Sequence, residues 1–238
     1  MKKMEVEKDS AGLMSPPLAG GRGSEREMIL AWAVARMSAT AAAVWTLPTF
    51  APLIEGLKLV DLPKPAVSDG KLLLRVTAAG VTPLGHTILS DQYPRAKAPL
   101  VLGNEGAGVV EEGCGTCFPI GSHVMFTGAY GVSEDGAYGE WIAVQKENLC
   151  LIPEGVDDVS AAGIPVAYLT AQIALTLAGF QTGKTLLAPT IGESVGNAVT
   201  QLARAMGAKH TISSTTNHTK SEQAKALGFN EVIDTSVE

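Results

Sequence analysis

Residues 185–208, TLLAPTIGESVGNAVTQLARAMGA, constrain the fold of this chain more tightly than any other stretch. A short apolar run from Thr185 to Ala188 is bounded by Gly183 and Pro189. A run of that length between a glycine and a proline predicts a strand. A small-residue turn follows, and then amphipathic spacing that predicts a helix over 194–206, stopped by Gly207. Strand, glycine turn and helix in this order leave the first backbone N–H groups of the helix without intrahelical acceptors. A pyrophosphate is the ligand such an arrangement suits. The turn departs from strict G-x-G-x-x-G spacing, because only Gly192 and Gly196 are glycine and Glu193 sets a carboxylate where phosphate would lie.

The same grammar extends on both sides. Ser160 is placed to cap a helix, and Val166–Leu177 has helical apolar spacing up to Gly179. After the helix at 194–206 come a strand at 210–214, a helix at 219–227 and a strand at 231–234. Thr219 with Glu222 has the form of a capping box. A βαβαβ order implies parallel strands joined by right-handed crossovers. Residues 157–238 therefore read as a partial Rossmann domain, one half of a doubly wound parallel sheet. The chain stopping there would leave the strand at 185–188 as an open apolar edge.

Upstream the pattern is short apolar runs cut by Gly, Pro and Asp. The segments 43–47, 57–61, 71–78, 108–111, 123–126, 139–144 and 149–152 have strand length, and Leu72-Leu73-Leu74-Arg75-Val76 is the clearest. Strands at such spacing predict a barrel-like β domain over 37–156. Residues 1–36 mix charge with Gly, Pro and Ser and read as a disordered extension. Lys2 and Lys3 are followed by Glu5, Glu7 and Asp9, where a signal peptide needs an apolar stretch. Met28 to Trp45 is apolar, but Arg36 at its centre would cost roughly 3 kcal/mol in a bilayer. A net charge of −6 argues against nucleic acid or an anionic membrane as partner. Three cysteines argue against a disulfide framework and for the cytoplasm.

Several segments together resemble the medium-chain dehydrogenase/reductase superfamily, in its zinc-independent quinone oxidoreductase branch. AAGVTPLGH (78–86) resembles "AAGVNPxD", and PLVLGNEGAGVVEE (99–112) resembles "P.VLG.E.AGVV". GAYGEW (136–141), IPVAYLTAQIAL (164–175) and VGNAVTQLARAMGA (195–208) are similar to "GAYAEY", "LPVAGLTAYxAL" and "VGSAAVQLAKALGA". The resemblance implies an α/β chain: a GroES-like catalytic β domain followed by the partial Rossmann sheet. It also implies about a hundred further residues in full-length members, and so a truncated chain here.

The resemblance implies NADPH-dependent hydride transfer to a quinone or enone, a small-molecule substrate, and allows a homo-oligomer. Zinc is not expected, since Thr82 and Asn104 stand where zinc-dependent relatives have ligands. Cys114 and Cys117 form a lone C-x-x-C, and His86, His123, His210 and His218 lack metal-ligand spacing and read as surface or loop residues. An NAD enzyme carries an Asp or Glu about twenty residues past the glycine turn. Here the corresponding stretch holds Ser213, Ser214, Thr215 and Lys220, which suit a 2′-phosphate and favour NADPH.

Cofactor contacts are thus expected from Gly192, Ser194, Val195, Gly196, Ser213, Thr215 and Lys220, with Thr170 beside the nicotinamide. Tyr93 corresponds to a substrate-pocket tyrosine in the resemblance, or is a turn aromatic before Pro94. Thr82 takes the place of an asparagine and Gly85 that of an aspartate. Thr190 and Glu193 depart from glycine and are expected to weaken NADPH binding. The alternative reading is a catalytically inactive fragment or interaction module of the same fold.

Overall fold

The computed structural model of the chain describes residues 41–50, 56–68, 70–113, 118–189, 193–226 and 229–236. The extension expected over 1–36, the Cys114/Cys117 pair, Thr190 and Gly192 lie outside them. The chain divides into two compact units, one ending at Ala162 and the other starting at Gly163.

The first unit is built from β1 (Ala41–Leu47), β2 (Lys58–Pro63), β3 (Lys71–Ala79), α1 (Pro83–Leu89), β4 (Leu100–Val101), β5 (Glu105–Glu112), β6 (His123–Thr127), β7 (Trp141–Gln145), β8 (Leu149–Leu151) and α2 (Asp158–Ala162). Two antiparallel sheets result, β7-β3-β5-β6-β8 and β2-β1-β4. The apolar run of β3 lies mid-sheet, so both of its faces must be covered. Leu72, Leu74 and Val76 pack with Val110, Val124, Phe126 and Tyr130. The small residues Ala78 and Ala107 admit Ala161 and Ala162 of α2. Burying each of the large β3 side chains contributes about 1.5–3 kcal/mol.

Segment 136–140 joins the two sheets through its backbone. The N–H groups of Gly136, Ala137 and Tyr138 donate to the carbonyls of Val101, Gly103 and Leu102, and Trp45 N–H donates to Tyr138 O over 2.8 Å. Gly136 is required by this close approach, since a Cβ would collide with the carbonyls of Leu102 and Gly103. The glycines of the GAYGEW motif therefore serve packing.

The second unit contains α3 (Pro165–Leu177), β9 (Thr185–Leu187), α4 (Ser194–Ala205), β10 (His210–Thr215), α5 (His218–Ala226) and β11 (Glu231–Asp234). Its strands are parallel in the order β11-β10-β9. Ala167 and Ala171 of α3 meet Ala198 of α4. Small side chains there let the two helices approach closely. The buried stripe of β10 is Thr211, Ser213 and Thr215, hydroxyls where a strand usually carries aliphatics. Each is bonded: Thr211 to Asn230, Ser213 to the carbonyl of Ala188, Thr215 to the backbone of Asn217.

Several expectations need correction. The helix expected to be capped by Ser160 starts earlier, at Asp158. Asp157 is its cap, accepting from the Ser160 N–H at 2.9 Å and the Ser160 hydroxyl at 2.8 Å. Likewise α5 opens at His218, and Asn217 accepts from Lys220 N–H, so Thr219 is not the cap. In both places a short side chain one residue upstream reaches the open N–H first. Helix α1 and strand β4 were absent from the sequence reading. Pro83 at the helix start was the available signal for α1.

Candidate functional site

In the first unit the polar residues gather around the turn between β3 and α1. Thr82 occupies the N-cap position of α1 in extended backbone, but its side chain makes no cap bond. Its hydroxyl donates instead to Asn104 Oδ1 at 3.0 Å. The Thr127 hydroxyl donates to the Asn104 carbonyl at 2.8 Å, so Asn104, buried before β5, is held from two directions. Glu105 is buried next to it, and Gly80 N–H donates to its carbonyl. A Cβ on Gly80 would lie 2.5 Å from Glu105 Oε1. Glycine at 80 is therefore what admits the carboxylate.

The Tyr138 hydroxyl reaches into the same place, donating to the carbonyl of Gly80 at 3.3 Å. Its ring is partly buried against three groups of core residues, which fixes its direction. Burial, with the negative charge of Glu105 adding to it, pushes the phenol from 10.0 up to about 12. Tyr138 is thus a hydrogen-bond donor throughout the neutral range. Tyr93 stands in a turn after α1, its ring packed against the cluster of Leu47, Ile88, Leu89 and Leu100 that Tyr138 also borders.

In the second unit, α4 opens at Ser194. Glu193 is its N-cap in extended backbone, exposed, and its carbonyl takes the first helical bond from Asn197 N–H. The N–H groups of Ser194, Val195 and Gly196 therefore precede the helical ladder. Ser194 is exposed, Val195 and Gly196 half-buried. Ser213 is fully buried, and its hydroxyl is used to tie β10 to the end of β9. Thr215 ends β10, and its hydroxyl accepts from Asn217 N–H at 3.1 Å. Lys220 is half-buried in the first turn of α5, and Thr170 is exposed on α3. Gly192 lies outside the described residues.

The histidines lie within regular elements, His86, His123 and His218 exposed at the surface and His210 half-buried. His123, His210 and His218 each face a carboxylate, from Asp158, Glu231 and Asp234 at 2.8, 3.4 and 2.9 Å. Among the described residues no three of His, Cys, Asp and Glu cluster as metal ligands, and no helix is long and apolar enough to cross a membrane. The residue that sequence reasoning passed over is Tyr138. It stood inside GAYGEW, and only the folded register brings it to Gly80 and Glu105.

Comparison with known proteins gives the following. The model of the alcohol dehydrogenase GroES-like domain matches residues 68–154. The chloroplastic NADPH-dependent alkenal/one oxidoreductase of Arabidopsis thaliana is 28% identical over 179 residues, covering 71% of this chain and 46% of that protein. An alcohol dehydrogenase of Geobacillus stearothermophilus is 30% identical over 205 residues, covering 75% and 60%. Among solved structures, the quinone oxidoreductase of Thermus thermophilus, described with its NADPH complex, superposes with a TM-score of 0.69 at 32% identity over 82% of this chain and 60% of that one. The chain thus spans 46% to 60% of the length of these proteins.

Proposed function

Since the chain belongs to the medium-chain dehydrogenase/reductase superfamily of oxidoreductases, we propose that it takes part in transfer of a hydride from NADPH to a quinone or conjugated carbonyl acceptor, without zinc. The observation that carries this reading is the order β9, turn, α4 within a parallel sheet. Helix α4 begins seven residues after the end of β9, and open α/β sheets bind ligands at the carboxyl ends of their strands.

The residues fit the dinucleotide in chemistry. The turn at Gly192 and the backbone N–H groups of Ser194, Val195 and Gly196 would hold the pyrophosphate. Thr215 and Lys220 would face the 2′-phosphate, with Ser213 holding the strand ends that set their spacing. Thr170 would border the nicotinamide, and Thr82 and Tyr93 the acceptor. When bound, the dinucleotide supplies the hydride, so the protein's part is to orient the acceptor and exclude water. Thr82 and Asn104 hydrogen-bond to each other, an arrangement that leaves no thiolate or imidazole for zinc. A small-molecule acceptor, a cytoplasmic setting and a chain able to self-associate belong to the same proposal.

The test is oxidation of NADPH by the purified chain with phenanthrenequinone as acceptor, followed by loss of the reduced nicotinamide absorbance. Turnover with NADPH well above that with NADH supports the reading. No quinone-dependent oxidation with either dinucleotide overturns it.

A further inference from the structure

The Tyr138 hydroxyl is held within the turn that carries Thr82, half-buried as Thr82 and Tyr93 are. Its ring is gripped by the core around Val44, Leu102 and Phe126, so the hydroxyl cannot swing away. It touches the Gly80 carbonyl at 3.3 Å, a long and weak bond that a better acceptor can replace. The neighbouring α1 residue is Gly85. A Cβ built there finds only the Tyr138 hydroxyl within 4 Å, at 3.8 Å. The missing side chain at 85 therefore leaves no group of α1 to compete for the hydroxyl from that side. Any side chain with a carboxylate at 85 would take that hydrogen bond for itself.

We propose that Tyr138 is a catalytic residue that donates its hydroxyl hydrogen to the carbonyl oxygen of the acceptor, entering across Gly85. The assignment rests on the hydride-transfer reading above. Hydride addition at the acceptor carbon would push the electron pair of the π system onto the oxygen. The charge growing there is met by a fixed, half-buried donor, whose bond is worth more than one exposed to water. The reduced acceptor then takes a proton from water. Tyr138 keeps its own proton throughout, as its raised pKa supports. Glu105 contributes by keeping the phenol protonated, so it positions and does not react.

The experiment uses trans-cinnamaldehyde, whose ultraviolet band moves to the red when its carbonyl accepts a hydrogen bond. A red shift on adding the full chain, reduced to the free-probe position in Tyr138→Phe, is the expected result. Tyr138→Phe keeps the ring that fills the core. Gly85→Asp, which leaves Tyr138 in place but offers its hydroxyl a carboxylate, is expected to lose the shift as well. A shift that survives in both variants, a shift lost only in Tyr93→Phe, or no shift in the wild type overturns the assignment. A Tyr138-dependent shift without any NADPH oxidation would sink the hydride-transfer reading alone. Where turnover is measured, Tyr138→Phe is expected to lower kcat about 10- to 100-fold at unchanged KM for NADPH.

Discussion

Thr82 and Asn104 satisfy each other: the hydroxyl of the first donates to the carboxamide oxygen of the second across 3.0 Å. The bond links the N-cap of α1 to the residue just before β5, 22 positions further along. Because the hydroxyl is aimed at Asn104, the turn that carries Thr82 is pinned to the sheet. The proposed acceptor site is built on that turn, so its geometry depends on this pair.

Replacing Thr82 with valine keeps the shape and removes the donor. Asn104, only 7% exposed, then holds an oxygen without its partner. The expected cost is about 1–2 kcal/mol, or about 2–4 °C of melting temperature per kcal/mol in a chain of this size. Thr82→Ser should keep most of the stability, since it keeps the hydroxyl. Equal melting curves for wild type and Thr82→Val would refute the pairing.

The Tyr138 phenol gives a prediction at alkaline pH. Its folded pKa of about 12 stands above the ordinary 10.0. As pH rises past 10, the unfolded chain releases this proton while the folded chain retains it. Fewer protons bound in the unfolded state means that stability falls with pH over that window. Tyr138→Phe removes this contribution. Its denaturant midpoint should therefore decline less between the ordinary phenol range and pH 12 than that of the wild type. Parallel declines in the two proteins would count against the buried environment described for the hydroxyl.

The N-cap of α2 gives the opposite sign in acid. Bonds from the Ser160 backbone and hydroxyl hold the Asp157 carboxyl below the usual carboxylate range. A depressed folded pKa stabilises the protein above the unfolded value, near 4, and the contribution is lost as pH falls through the folded value. Asp157→Ala should melt lower than wild type at neutral pH, and the gap should close on acidification. A gap unchanged into strong acid would show that the carboxylate charge is not what caps the helix.

The strands and helices of both units were legible because their signals are local. The apolar run of β3 and the 3.6-residue spacing of α3 and α4 survive folding unchanged. Caps were misplaced by two or three residues because Asp157 and Asn217 compete with neighbouring Ser160 and Thr219 for the same N–H groups, and spacing alone cannot rank them. Helix α1 was hidden by Gly85, a poor helix former in its interior. The hydroxyls of β10 were visible, but their partners were not. Ser213 answers to Ala188, 25 residues away, and Tyr138 to Gly80, 58 away. Such pairings belong to the register between segments, which no single segment encodes.

Glu193 supplies the last prediction. It caps α4 with its backbone, stays exposed, and sits one residue before the N–H groups proposed to hold the pyrophosphate. A like charge about 5 Å away costs about 3 kcal/mol at an effective dielectric near 20. Exposure lets the side chain turn into solvent, so the realised penalty is smaller. Glu193→Gly should therefore tighten NADPH binding by about 3- to 30-fold in a fluorescence titration at low ionic strength. The gain should shrink as salt is raised, because screening weakens the repulsion that the mutation removes. A salt-independent gain would instead point to loop conformation, and equal affinities at low salt would remove Glu193 from the account of cofactor binding.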